Sequence, residues 1–411
     1  LLESSGEREI STTMALVRML GVLLKDPGIG KHIVPIVPDE ARTFGMEGMF
    51  RQIGIYSAKG QLYDPADSGQ VMYYREDKQG QLLEEGINEA GSMGSWLAAA
   101  TSYSVNNYPL IPFYIYYSMF GFQRIGDMCW AAGDLRARGF LIGATAGRTT
   151  LNGEGLQHED GHSHLFAGTI PNCVSYDPTY SYELAVIIQD GMRRMYENDE
   201  SVWYYITTMN ENYTHPDMPE GTQAGILKGM YMLEDGESKE YKVAKSIARV
   251  RLLGSGTILR EVRQAAEILR KDYKIAADVF SATSMNELAR DGLAVDRWNM
   301  LHPEAKPRVS YVQECLQGRE GPVIACTDYM KIYSDQIRAF VPGPYKVLGT
   351  DGFGRSDSRE KLRGFFEVNH KYVVVAALTE LMKTGQVKAA VVSEAIRKFG
   401  LDPEKVNPTL V

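Results

Sequence analysis

This 411-residue chain lacks a surplus of positive charge, paired cysteines and an unbroken apolar span. Forty-four basic against fifty-two acidic side chains leave a formal charge of -8. With no basic cluster in view, a phosphate backbone would be repelled, so a nucleic-acid partner is not expected. The four cysteines, Cys129, Cys173, Cys315 and Cys326, lie far apart and form no C-x-x-C pair. Neither a zinc ribbon nor a disulfide framework is indicated, and a reducing, cytoplasmic setting fits. From Ala90 to Gln123 no residue is charged, which on length alone raises the question of a membrane span. Asn106, Asn107, Pro109 and Pro112 divide that run into an Ala-rich helical part and a short apolar strand, the pattern of elements buried on both sides in an α/β core. Also missing are the G-x-S-x-G elbow, the G-x-x-x-x-G-K-[ST] phosphate loop and a G-x-G-x-x-G between strand and helix. GTDGFG has the wrong glycine order for a dinucleotide turn and reads as a structural turn. The opening LLESSGEREIS has neither an initiating Met nor a basic-then-apolar leader, and reads as a start in mid-protein.

What is present is a sequence able to bury large cores, with 44% hydrophobic, 10% aromatic and 23% charged residues. The length exceeds a single core and points to two domains. Ser11 and Thr12 are candidate caps for a helix over TMALVRMLGVLLKD, and a strand-like HIVPIVPD follows. Helices in the Ala90–Ser104 and Phe120–Ala137 regions alternate with strands LIPFYIYY and FLIGAT. A polar loop to His164, a helix over YELAVIIQDGMRRMY and a strand VWYYITT complete the series. Strands separated by helices of this length require parallel βαβ units. The turn-rich, charged stretch between about Asn210 and Lys242 marks the boundary, giving domains 1–218 and 219–411. In the second, ARVRLLGSG, AADVFSAT, PVIACTD and YKVLGTD are strand candidates. REVRQAAEILRKDY and the two terminal helices around YVVVAALTELMKTG and VVSEAIRKFG are expected to cover them.

His158-Glu159-Asp160-Gly161-His162 satisfies the H-E-x-x-H pattern of zinc peptidases. That pattern needs a helix to bring both imidazoles to one metal. Gly153, Gly155 and Gly161 make the segment a loop, so no metal site is expected there. A loop carrying functional histidines and a merely structural loop both stay open. Glu89 stands just ahead of the uncharged run, where its surroundings should be dry. Structurally it is an acid favoured by a helix amino end; functionally it is a carboxyl able to hold or donate a proton at neutral pH. Asp39 and Glu40 end the IVPIVPD strand, and strand carboxyl ends are where open α/β sheets bind ligands. The aromatic strand with Tyr114, Tyr116, Tyr117 and Phe120 serves either as core or as a cofactor platform.

Over DEARTFGMEGMFRQIGIYS, YYREDKQGQLLEEGINEAGSMGSWLAAATSY, FYIYYSMFGFQRIGD and GRTTLNGEGLQHEDGHSH the chain resembles the homodimeric bacterial pyruvate dehydrogenase family. The likeness runs on through ACTDYMKIYSDQIRAFVPG and VLGTDGFGRSDSRE to the final VNPTLV. It implies a transketolase-like α/β fold with a pyrimidine-binding domain followed by a carboxy-terminal domain. It also implies thiamine diphosphate as cofactor, pyruvate as substrate, and transfer of the acetyl unit to a lipoyl group. The implied partners are a second copy of the chain and the dihydrolipoyl acetyltransferase core. Carried over by position, Glu89 would contact the ring nitrogen of the aminopyrimidine. Phe120 would stack on that ring, with Ile87 and Tyr117 beside it. Asp39, Glu40 and Arg124 would line the cofactor and substrate cleft. His158 would face the substrate, with Glu154 in the same loop.

One departure stands out. The family holds the diphosphate through Mg2+ with a G-D-G tripeptide and a later Asn, and this chain contains no G-D-G. The domain bearing it is expected to precede Leu1, so the chain alone should hold the cofactor weakly and be inactive. Rival assignments are a related enzyme such as 2-oxoglutarate dehydrogenase or transketolase, a non-catalytic assembly module, and a zinc hydrolase. The carboxy-terminal domain offers no residue for chemistry, and packing against a second copy is its expected role.

Overall fold

The computed structural model describes residues 2–38, 41–66 and 74–411. Two compact units divide the chain. Leu1–Ala146, Ser163–Ser175 and Tyr180–Asp217 make up the first; Gly147–His162, Tyr176–Thr179 and Met218–Val411 make up the second.

Among the described residues, eight strands precede residue 218: β1 (Ile33–Val37), β2 (Ile55–Tyr56), β3 (Glu76–Asp77), β4 (Leu83–Glu84), β5 (Ile111–Tyr117), β6 (Phe140–Ala144), β7 (Cys173–Tyr176) and β8 (Trp203–Thr207). Six form one sheet in the order β4-β1-β5-β6-β8-β7, and β2 with β3 makes a short separate ladder. The pairs β1/β4, β1/β5, β5/β6 and β6/β8 are all parallel. Every residue of β5, β6 and β8 is buried, as a sheet covered on both faces demands. The helix Glu89–Ala100 buries Glu89, Ser92, Met93, Trp96, Ala99 and Ala100. Those positions recur every three or four residues, the stripe a helix presents to a sheet. Trp96 donates its indole N–H to the Phe140 carbonyl at 3.1 Å, which satisfies a fully buried polar group. Ser11 caps the helix Thr12–Leu23, its hydroxyl accepting from the Met14 amide at 3.0 Å.

The other unit is built on β9 (Tyr231–Glu234), β10 (Ala248–Gly254), β11 (Ile275–Ser281), β12 (Val323–Cys326) and β13 (Tyr345–Leu348). Their order is β13-β12-β10-β11-β9, parallel except for the edge strand β9. The helix Ile258–Asp272 buries Ile258, Leu259, Val262, Ala265, Ala266 and Leu269 and turns its charges to solvent. Among the described residues no helix is long and apolar enough to cross a membrane.

The long apolar strands marked in the sequence are all present. The four-residue β12 and β13 are marked by their apolar runs, whereas β2, β3, β4, β7 and β9 are not, having two to four residues and no apolar run singled out in the sequence. The helix Met285–Leu301 escapes notice because only Met285, Asn286, Leu288, Ala289 and Gly292 are buried, all in its first half. The polar loop after β6 ends sooner than expected, since Ser163–Thr169 is helical.

Gly143 lies in β6, where a Cβ would run into the Tyr205 hydroxyl and meet the Ser118 Cβ at 2.9 Å. The expected cost of Gly143→Ala is about 1 to 3 kcal/mol from overpacking. A urea unfolding midpoint lowered at constant slope is the outcome that checks it.

Candidate functional site

Parallel strands place all their carboxyl ends on one edge, and four segments with candidate residues leave that edge. Glu84, Val37, Tyr117 and Ala144 end neighbouring strands; Val37 is level with Glu84, and Tyr117 with Ala144. After β4 come Ile87 and Glu89, after β5 the turn Ser118–Phe120 and Arg124, and after β6 the segment with Glu154 and His158. Such an edge is where open α/β sheets bind ligands. Asp39 and Glu40, which follow β1, lie outside the described residues.

Glu89 is the first residue of its helix, and the Asn88 side chain caps the turn by accepting from the Gly91 amide at 3.0 Å. The carboxylate therefore sits at the positive end of the helix dipole. It also heads the sheet-facing stripe, so the helical period that builds the core buries an acid at 9% exposure. A buried carboxylate needs a partner. Arg124, from the helix Phe122–Asp134, supplies it with Nη1 at 2.6 Å from Oε1. The same guanidinium lies 4.0 Å from the Phe120 ring centroid. Phe120 is half-buried, and its ring meets Tyr117 edge-on at 5.9 Å. Tyr117 in turn is 5.5 Å from Phe44. Tyr114 and Tyr116, deeper in β5, are fully buried, and burial pushes both phenols up. They are core. Ile87 is 74% exposed. The structure thus brings Glu89, Arg124, Phe120 and Tyr117 into one group, with Ile87 at the surface.

Glu154 and His158 belong to the Gly147–His162 segment of the second unit. The segment is a succession of turns, with Gly147, Gly153 and Gly155 at positive φ. A shared helical face for His158 and His162 does not exist. Glu154 and His158 face each other with Oε2 and Nε2 3.9 Å apart. Glu159 beside them is fully buried. Burial pushes its carboxyl up to about 8, against the Arg355 amide, which donates to Oε2 at 2.6 Å. His162 is held low by burial. Among the described residues no group of three or more His, Cys, Asp or Glu could hold a metal ion.

Sequence reasoning missed Arg148 and Asp328, and named Glu159 only within the H-E-x-x-H match. Only Asp328 leaves a signal, two residues past the end of β12.

Residues 2–216 match the pyruvate dehydrogenase E1 component middle domain, and residues 229–369 the transketolase-like carboxy-terminal domain. The chain belongs to the pyruvate dehydrogenase E1 family. It is 68% identical to the pyruvate dehydrogenase E1 component of Pseudomonas aeruginosa over 409 residues, which is 99% of this chain and 46% of that protein. The chain therefore spans about half the length of the curated relatives it matches. In fold it resembles transketolase from Leishmania mexicana, with a TM-score of 0.66 and 14% identity over 93% of this chain and 47% of that one. It also resembles a split gene transketolase described as an inactive beta4 tetramer. There the TM-score is 0.56 and the identity 15%, over 91% of this chain and 98% of the other. The likenesses to transketolases show a transketolase-like α/β fold.

Arg124→Ala would leave the Glu89 carboxylate buried without its cation. Because Arg124 is half-exposed, the expected loss is about 1 to 2 kcal/mol. Arg124→Lys should recover part of it in the same urea titration.

Proposed function

We propose that the chain is the pyrimidine-binding and carboxy-terminal part of a thiamine-diphosphate-dependent pyruvate dehydrogenase. The carrying observation is the carboxylate of Glu89, buried at the carboxyl edge of the first sheet beside Arg124 and Phe120. These groups suit an aminopyrimidine. A dry carboxyl can share a proton with a ring nitrogen, and a half-exposed aromatic face can take a flat heterocycle. The thiazolium of the bound cofactor supplies the electron sink that decarboxylation of a 2-oxoacid needs.

The chain's own groups orient and exclude water. Glu89 would share a proton with the pyrimidine ring nitrogen, with Arg124 as its ion-pair partner. Phe120, Tyr117 and Ile87 form the apolar wall, and Asp39 and Glu40 would line the cofactor and substrate cleft. His158 and Glu154 face the substrate, His158 moving protons there and Glu154 orienting the imidazole. Domain 1–218 has the pyrimidine role and domain 219–411 the carboxy-terminal one. The diphosphate and its Mg2+ would be held by a G-D-G-bearing part of a longer protein, in keeping with the 46% of the Pseudomonas relative that this chain spans. The working form is a cytoplasmic homodimer that delivers the acetyl unit to the lipoyl group of a dihydrolipoyl acetyltransferase core. Pyruvate is favoured over 2-oxoglutarate or a ketose phosphate because the relatives at 68% and 63% identity are pyruvate dehydrogenase components.

In the enzyme carrying this sequence, Glu89→Gln should lower kcat on pyruvate by about 10²- to 10⁴-fold, the usual worth of a positioned proton carrier. A parental rate would exclude the assignment. The isolated 411-residue chain with Mg2+ and thiamine diphosphate should release no CO2 from pyruvate; measurable turnover would refute the division of the cofactor site.

A further inference from the structure

The segment Gly147–His162 follows β6 in sequence, yet its contacts are those of the second unit. Ordering a glycine-rich loop costs conformational entropy, so its place in the fold must be set by specific bonds. They are concentrated at its two ends. At the start, the fully buried Asp328 accepts from the Thr149 amide at 2.9 Å, the Thr149 hydroxyl at 2.7 Å and the Thr150 hydroxyl at 2.5 Å. Arg148, 4% exposed, donates to the Thr350 carbonyl and, at 2.6 Å, to the Gly352 carbonyl. Arg359 donates to the Thr150 carbonyl at 2.7 Å. At the far end, Glu159 accepts from the Arg355 amide and the Gly161 carbonyl accepts from the Met330 amide at 2.8 Å. Gly161 has no room for a side chain, because a Cβ there would enter the Arg148 guanidinium. Between these anchors Ser356 donates to the Gly153 carbonyl at 2.8 Å, and the tip presents Glu154 and His158.

We propose that Arg148, Asp328 and Glu159 are positioning residues that fix where Glu154 and His158 stand, so that the second unit acts on the reaction through this loop. The inference rests on the substrate-facing role given above to His158 and Glu154. It assigns the carboxy-terminal unit work beyond packing. A misplacement of about 1 Å in a reacting group can cost roughly 100-fold in rate, so buried anchors of this kind are worth their desolvation.

Proton linkage gives the anchor a signature. Glu159 faces Asp328, Arg148 and Arg355. Its carboxyl is held at about 8 when docked, against about 4.3 for a solvated glutamate. The docked loop therefore keeps a proton that an opened loop releases. Attachment is strongest below the solvated value, weakens as pH rises towards 8, and is level above it.

Amide hydrogen exchange on the 411-residue chain tests this. Asp328→Ala should lower the protection factors of the Thr149 and Met330 amides by about tenfold or more, while Leu252 in β10 keeps its own. Glu159→Gln should retain the loop's protection at pH 6 and abolish its decline between pH 5 and 8. Where Leu252 is also exposed by Asp328→Ala, the near-isosteric Glu159→Gln decides alone through its pH profile. In the enzyme carrying this sequence, Asp328→Ala should lower kcat on pyruvate by about tenfold or more with KM for thiamine diphosphate unchanged. Unchanged protection in Asp328→Ala together with an unaltered pH profile in Glu159→Gln overturns the proposal, as does a loosened loop with parental kcat. If Glu89→Gln is also at the parental rate, the failure lies instead with the assigned reaction.

Discussion

Parallel strands buried on both faces constrain this chain more than any other feature. A parallel sheet cannot be closed by tight turns, so each strand must be followed by a crossover that returns the chain to the starting edge. The carboxyl ends are then left together as the places where the chain departs. Glu84, Val37, Tyr117 and Ala144 are such points, and the residues after them supply every candidate of the first sheet. The chemistry is thus carried by short segments that the sheet holds in register, while the buried strands themselves stay apolar.

Glu89 shows how core and site share one set of rules. The helical period that places Met93 and Trp96 against the sheet also brings a carboxylate inward at the first turn. An unpaired buried charge would be costly, and the Arg124 guanidinium offsets it. The acid is thereby both paired and shielded from water.

The loop 147–162 answers a different problem. Its glycines permit a compact path but give no rigidity. Rigidity comes from buried polar groups on other elements, chiefly Asp328, which must be satisfied and find their donors in the loop. The strained start of the path fits this division of labour. Thr145, β-branched and 1% exposed, has a φ of 53° just after β6, a conformation tolerated only where the surroundings over-determine it.

Several features were settled by local rules. The uncharged run broken by Asn106, Asn107, Pro109 and Pro112 can only be a buried helix and strand, because unbroken helix and solvent are both closed to it. The long quoted segments also sufficed to place the chain in its family. The strands β2, β3, β4, β7 and β9 were silent, being short and not singled out by an apolar run as the equally short β12 and β13 were. Tertiary structure alone decided that Glu89 would meet Arg124 thirty-five positions away, and that HEDGH would lie in a loop fastened to Asp328 and Arg355. Periodicity reports which face of an element is buried; it carries no information about which distant group will satisfy a buried charge, because that choice is made by packing.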